Sequence, residues 1–261
     1  MNSTQVLAGV ALAALVAYLA RRARALSKSG AWAAVLVGSI TFGFGGVVPA
    51  ALLLTFFVSS SVLSRVGKRR KAAVAAAFDK TGERDAGQVW ANGGLAAAAA
   101  LVYGLTLDTR WLAAVAGALA AVNADTWATE LGVLSRAWPR RLTDGRTVEP
   151  GTSGALTIDG LWAALGGAAL IGLPAGLAAG TALGAAATVG GFLGSLADSL
   201  LGGSVQAIYW CPTCAKETER HPTHSCGTPT TRLRGWPWLR NDGVNFAASI
   251  VGAAVTLFLT A

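Results

Sequence analysis

Charge is what this chain has least of. Asp, Glu, Lys and Arg make up 13% of its 261 residues, about half the ~25% of an average soluble domain. Hydrophobic residues make up 53%, and mean hydropathy is +0.52. So little charge excludes a soluble globular protein and leaves no stretch from which a sizeable soluble domain could be built. Acids are the scarcer sign, 13 against 21 bases. Cysteine is limited to three residues and histidine to two, too few for a disulfide scaffold. Nothing basic precedes the first apolar run, so a cleaved signal peptide is not expected. A Walker P-loop is missing as well: the lone Gly-Lys pair, Gly67-Lys68, is followed by Arg69 and lacks the upstream glycine.

What is present is hydrocarbon-compatible chain. Apolar runs near residues 4–20, 31–46, 47–64, 89–106, 110–127, 155–173, 175–201 and 241–260 each approach the ~20 residues that cross a bilayer core. They predict an all-α, polytopic transmembrane bundle of about eight helices, forming a single membrane domain over 1–261. Very short outer turns are expected near 45–48, 107–110 and 173–175. Basic loops stay on the cytoplasmic side, and with both termini outside every Lys and Arg except Arg110 falls in a cytoplasmic segment. The clusters are Arg21 to Lys28, Arg65 to Arg84, Arg136 to Arg146 and Lys216 to Arg240. The net charge of +8 thus reads as topology and attraction to anionic lipid or a polyanionic substrate. Nucleic acid is a poor fit, because these sites flank membrane spans. The inner membrane of a cell is the expected location.

The most informative stretch is Asn123-Ala-Asp125-Thr126-Trp127-Ala-Thr129-Glu130. Carboxylates at membrane depth are costly and default to functional sites, normally facing a wet cavity or a cation. At about 100° per residue, Asn123, Glu130, Thr126, Thr129 and Asp125 spread in that order over roughly 160°, as one polar stripe. A plain stop signal at a helix end would not sort its polar groups this way. In the seventh run, Gly191, Gly194, Ser195, Asp198 and Gly202 recur at spacings of three and four, giving a close-packing face with one carboxylate. Asp125 and Asp198 can meet at one depth and hold Mg2+, which takes one or two carboxylates together with phosphate oxygens and water. Pairing of Asp198 with a neighbouring Arg is the plainer alternative.

Three further motifs line the cytoplasmic ends of spans. Glu149-Pro-Gly151-Thr152-Ser153-Gly154-Ala-Leu-Thr157 leads straight into the sixth helix, where backbone N–H groups and two hydroxyls can cradle a phosphate; turn chemistry alone would also account for it. Arg84, Gln88 and Asn92 recur at intervals of four, as do Asn241 and Asn245 beside Asp242. Buried amides need partners, either other helices or a polar substrate.

All three cysteines and both histidines fall in the predicted cytoplasmic loop 202–240, as Cys211-Pro-Thr-Cys214 and His221-Pro-Thr-His224-Ser-Cys226. Thiolates and imidazoles with a CxxC knuckle make a closed, structural tetrahedral zinc site. Cys211, Cys214, His224 and Cys226 are the natural set, with His221 the rival fourth ligand.

In order and spacing, the motifs at Arg84 to Gly93, Asn123 to Gly132, Gly151 to Thr157, Gly194 to Ser199 and Asn241 to Asn245 resemble those of the plant phytyl-phosphate kinase and its bacterial, archaeal and animal relatives. The resemblance covers about residues 65 to 250 and extends loosely to polyprenol kinases and membrane cytidylyltransferases. It implies a membrane enzyme that converts an isoprenyl monophosphate to its diphosphate, with a nucleoside triphosphate, CTP by expectation, as donor. It makes Asp125, Glu130 and Asp198 metal and catalytic candidates. Arg84, Gln88, Asn92 and Gly151 to Gly154 become candidates for phosphate and substrate contact, together with Asn123, Thr126, Asn241, Asp242 and Asn245. Transfer of CMP to a lipid phosphate, or transport of a lipid or ion, are the competing readings.

Overall fold

The computed structural model describes residues 3–67, 71, 77–78 and 82–261. The basic residues Lys68, Arg69, Arg70 and Lys80 of the second predicted loop lie outside the described residues. Among those described are eight long helices: α1 Ser3–Arg22, α2 Lys28–Gly45, α3 Val47–Leu63, α4 Ala86–Thr106, α5 Arg110–Gly132, α6 Ile158–Ala179, α7 Thr181–Ser204 and α8 Asn241–Thr260. The helix count expected from the apolar runs is therefore met. Five of them, α1, α4, α6, α7 and α8, are long and apolar enough to cross a membrane on length and composition alone. α3 is apolar but only 17 residues long.

α5 is the axis of the bundle. Every residue from Leu112 to Ala124 is buried, because α5 packs against α3, α4, α6, α7 and α8. Of its polar stripe, Asn123 is buried among the neighbouring helices, Asp125, Thr126 and Glu130 are half-buried and Thr129 is exposed. The outer surface is apolar where a soluble protein would be charged: Leu177 is 91% exposed and Phe258 81%. That is the surface a bilayer solvates.

Small residues let these helices approach closely. A Cβ at Gly191 would come within 2.6 Å of Ala120 Cβ, and one at Gly194 within 2.5 Å of Ala121 Cβ and 2.9 Å of Ala248 O. One at Gly190 would meet Gly252 O at 2.6 Å. These contacts set the register, with α5 running alongside α7 and α8 antiparallel to both. The glycines of the seventh run are thus a packing seam and do not break the helix. The third outer turn sits later than expected: α6 continues through Pro174 and ends at Ala179, with Gly180 at φ 103 making the turn. Pro174 lies inside an apolar helix held by its neighbours, which tolerates the missing N–H.

The loops carry small sheets that the all-α expectation did not include. β1 Arg140–Arg141 pairs antiparallel with β2 Ala155–Leu156. The 202–240 loop folds as a three-stranded antiparallel sheet in the order β4 Lys216–Thr218, β3 Ile208–Cys211, β5 Thr231–Arg234.

Candidate functional site

Asp125 on α5 and Asp198 on α7 are brought together. The seam that sets Gly194 against Ala121 continues for one more turn, and the two carboxyl groups come within hydrogen-bonding reach of each other. Glu219, just past β4, adds its charge to the field at both and accepts a 2.8 Å hydrogen bond from Gln206 Nε2. Among the described residues Asp198 Oδ2 is shut off from solvent with no hydrogen-bond partner, and so is Asn245 Oδ1 on α8. The antiparallel seam of Gly190 with Gly252 and Gly194 with Ala248 places Asn245 at the level of Asp198. Clustered acids with an orphaned buried oxygen are unfavourable unless a proton or cation compensates them. An all-oxygen donor set of this kind suits a hard divalent cation such as Mg2+.

The glycine loop lies against the same end of α7. Gly151 and Gly154 have φ of 90° and 77°, a region L side chains rarely adopt. A Cβ on Gly154 would sit 2.2 Å from Gly203 N and 2.6 Å from Ser199 O. Ser153 Oγ donates to Gln206 Oε1 at 2.9 Å, so Ser153, Gln206 and Glu219 form one chain leading to the acids. The loop runs through Ala155, Leu156 and Thr157 directly into α6, which starts at Ile158. Thr157 Oγ1 accepts from Gly160 N at 3.0 Å, so that helix start is already capped. Gly154→Ala is expected to lower stability by about 1–3 kcal/mol, through both the strained backbone and the clash with α7. Thermal unfolding of the detergent-purified protein measures this.

The rest of the predicted site lies elsewhere. Because the α5 stripe spans a wide arc, its two edges face different helices. Asn123 is fully buried; its Oδ1 accepts from Ser59 Oγ at 2.9 Å and its Nδ2 donates to Gly167 O at 2.7 Å, so this amide cross-links α3, α5 and α6. Thr126 Oγ1 bonds back to Val122 O. Glu130 accepts from Ser64 Oγ at 2.7 Å and pairs with Lys71 Nζ at 2.5 Å, on the α3 side and not with Asp125. Arg84 Nη1 donates to Ser61 Oγ at 3.1 Å, and its guanidinium stands 6.0 Å from the Phe57 ring centre. Burial lowers the Arg84 pKa from its ordinary value, with the Glu130 charge opposing. Gln88 forms a capping box with Asp85 at the start of α4. Arg84, Gln88 and Asn92 share a cavity of about 300 Å³ walled by α1, α2 and α3. Asn241 and Asp242 open α8, one turn before Asn245.

Cys211, Cys214, His224 and Cys226 bring one ligand atom each to within 4.8 Å of one another; this cluster could bind a metal ion. The CxxC turn connects β3 to β4, and Cys211 is fully buried. His221 does not join them: its ring stacks on Tyr209 at 4.4 Å and 9°. His224, and not His221, lies with the three cysteines, and β3 supplies Tyr209 as a stacking partner for the other imidazole. Hydrogen bonding with Thr228 and His224 pulls the Cys226 thiol down to about 5. The neighbouring Cys226 sulfur, with burial and Cys211, pushes Cys214 up to about 11.

Glu219, Gln206 and Lys71 were not singled out in the sequence. Glu219 had one available signal, as an acid within the cysteine-rich loop. Its approach to a membrane carboxylate pair depends on how that loop folds back onto α7, where Arg234 Nη1 donates to Gly202 O at 2.9 Å.

A helical membrane body with paired acids at one end and a cysteine-histidine loop folded over that end defines a polytopic membrane protein with a possible metal centre. The chain belongs to the family described as integral membrane protein DUF92, which it matches over residues 11–253. It is similar to Protein PGR of Arabidopsis thaliana, 33% identical over 96% of this chain and 93% of that one. It is also similar to an uncharacterized membrane protein of Methanocaldococcus jannaschii, 36% identical over 72% and 78% of the two chains. A Synechocystis membrane protein is 25% identical over 88% and 80%. No solved structure matches the chain. The family membership inferred from the motifs therefore stands.

Proposed function

We propose that this protein is a membrane-embedded phosphotransferase that converts an isoprenyl monophosphate to its diphosphate with a nucleoside triphosphate, CTP by expectation, as donor. The observation that carries this reading is the meeting of Asp125 and Asp198 from separate helices, with Asp198 Oδ2 buried and unpartnered among the described residues, next to a loop with glycines at positive φ. An oxygen of the acceptor phosphate forms a bond to the γ-phosphorus while the bond to the β–γ bridging oxygen breaks and CDP leaves. The acceptor is already nucleophilic, so orientation and charge neutralisation are what the protein must supply. Asp125 and Asp198 would hold Mg2+, which neutralises phosphate charge when bound. Asn245 completes the polar wall on α8, and the Ser153–Gln206–Glu219 chain fixes the glycine loop against it. Cys211, Cys214, His224 and Cys226 would bind structural Zn2+. The basic loops and this site lie on the cytoplasmic side and both termini outside, in accord with the Lys and Arg distribution.

Product analysis with labelled CTP and a prenyl monophosphate tests the chemistry. CDP and prenyl diphosphate are expected. Pyrophosphate in place of CDP would identify a cytidylyltransferase and overturn the kinase reading. Transport is disfavoured because the acids gather at one end of the bundle and not at mid-membrane.

A further inference from the structure

The α1–α4 side of the bundle contains space that its own side chains do not fill. A groove of about 300 Å³ runs between α1, α2, α3 and α4 and opens onto the apolar outer surface at Leu12, Ala51 and Leu54, which are exposed. Its wall on α3 extends from Val47 to Phe57, about 15 Å at 1.5 Å per residue and half the ~30 Å of a hydrocarbon core. The walls are apolar, as at Leu12, Val16, Val37, Phe42 and Leu54. Polarity enters from one stretch only, as Arg84 just ahead of the Asp85 cap of α4 and Gln88 and Asn92 on its first turns. Among the described residues the Arg84 guanidinium has no carboxylate partner, since Glu130 pairs with Lys71. The Asn92 amide likewise makes no hydrogen bond among them.

A half-buried cation at one end of an otherwise hydrocarbon-lined slot complements an amphiphile with one anionic head and one apolar tail. We infer that this cavity holds the hydrocarbon tail of a single-chain lipid phosphate, with Arg84 at its head group. The alignment of the polar edge on α4 orients the ligand: the tail runs along α3 towards Phe42 and Val47, and the head stays at the Arg84 end. Side-chain size at Ala34 and Ala51, which also line the slot, sets the bulk of tail admitted. The inference rests on the lipid-phosphate half of the proposed function and is independent of phosphoryl transfer.

The test uses the full-length protein in nanodiscs without nucleotide, photolysed with a prenyl monophosphate bearing a diazirine at its tail end, followed by peptide mapping. Labelling is expected on α1, α2 and α3 within the slot. Ala34→Phe with Ala51→Phe should abolish it while the melting temperature stays the same or rises, since the new rings fill empty space. Arg84→Gln should weaken binding about tenfold for the phosphate probe and leave the matching prenol probe unchanged. Label on the outward faces at Leu177 or Phe258, or undiminished label in the filled-cavity variant, would overturn the inference. Displacement of the probe by a diacyl phospholipid as readily as by unlabelled prenyl phosphate would overturn the single-chain assignment. Slot labelling without any CTP turnover would remove the kinase reading and leave this one standing; CTP turnover without slot labelling would do the reverse.

Discussion

Asp125→Asn and Asp198→Asn are each expected to reduce the proposed phosphoryl transfer by about 10²–10³-fold or more while the protein remains as stable as the parent or becomes more so. The two effects have one origin. Asp125 and Asp198 lie in hydrogen-bonding reach, Glu219 adds its charge to both, and Asp198 Oδ2 has no partner among the described residues. In the absence of a cation this arrangement stores repulsion and desolvation, which an amide of the same shape relieves. With the acids gone, the site loses the oxygens that would position a cation between donor and acceptor phosphates. Activity and thermal unfolding measured on the same preparations check this, together with Mn2+ binding followed by electron paramagnetic resonance. A variant that keeps full activity would remove that residue from the mechanism. A marked fall in stability would mean that the pair is a structural hydrogen bond and not a strained functional site.

Cys211→Ser is expected to have the second large effect, on the loop first and on activity through it. Cys211 is fully buried at the end of β3, and a structural zinc in small domains is worth about 10–16 kcal/mol of apparent binding energy. Its loss should leave purified protein without stoichiometric zinc and open residues 208–234 to proteolysis, while the helices stay folded. The loop is not a detached appendage. Gln206 ties Glu219 to Ser153, Arg234 caps the end of α7 at Gly202, and Arg141 Nη2 meets Glu217 at 3.2 Å. Releasing the knuckle should therefore loosen the glycine loop beside Asp198 and lower turnover as well. His221→Ala provides the contrast: it should keep its zinc, because that ring stacks on Tyr209 and stands outside the ligand set. Metal analysis of the two variants side by side separates these outcomes.

The sequence by itself determined the membrane bundle, because runs of apolar residues near the bilayer thickness have few other fates, and basic loops alternate with them in register. It also named the loop whose cysteine-histidine cluster could bind a metal ion, since clustered cysteines and histidines require only local chain to meet. It selected Asp125 and Asp198 because buried charge is costly enough to be conspicuous. Only the tertiary structure decided which polar groups share a site. A wheel projection places Asn123, Glu130 and Asp125 on one stripe, but the stripe is wide, and α3 takes one edge while α7 takes the other. Glu130 is thereby paired with Lys71 and Ser64, and Asn123 with Ser59 and Gly167. Glu219 reaches the acids because the loop between α7 and α8 folds back over the membrane end, a long-range contact with no periodicity to announce it. His224, and not His221, lies with the cysteines, and a neighbouring strand gives the other imidazole an aromatic ring. Burial and period are local properties of a chain, whereas convergence depends on which helices pack together, and here small-residue seams deep in the bundle set that.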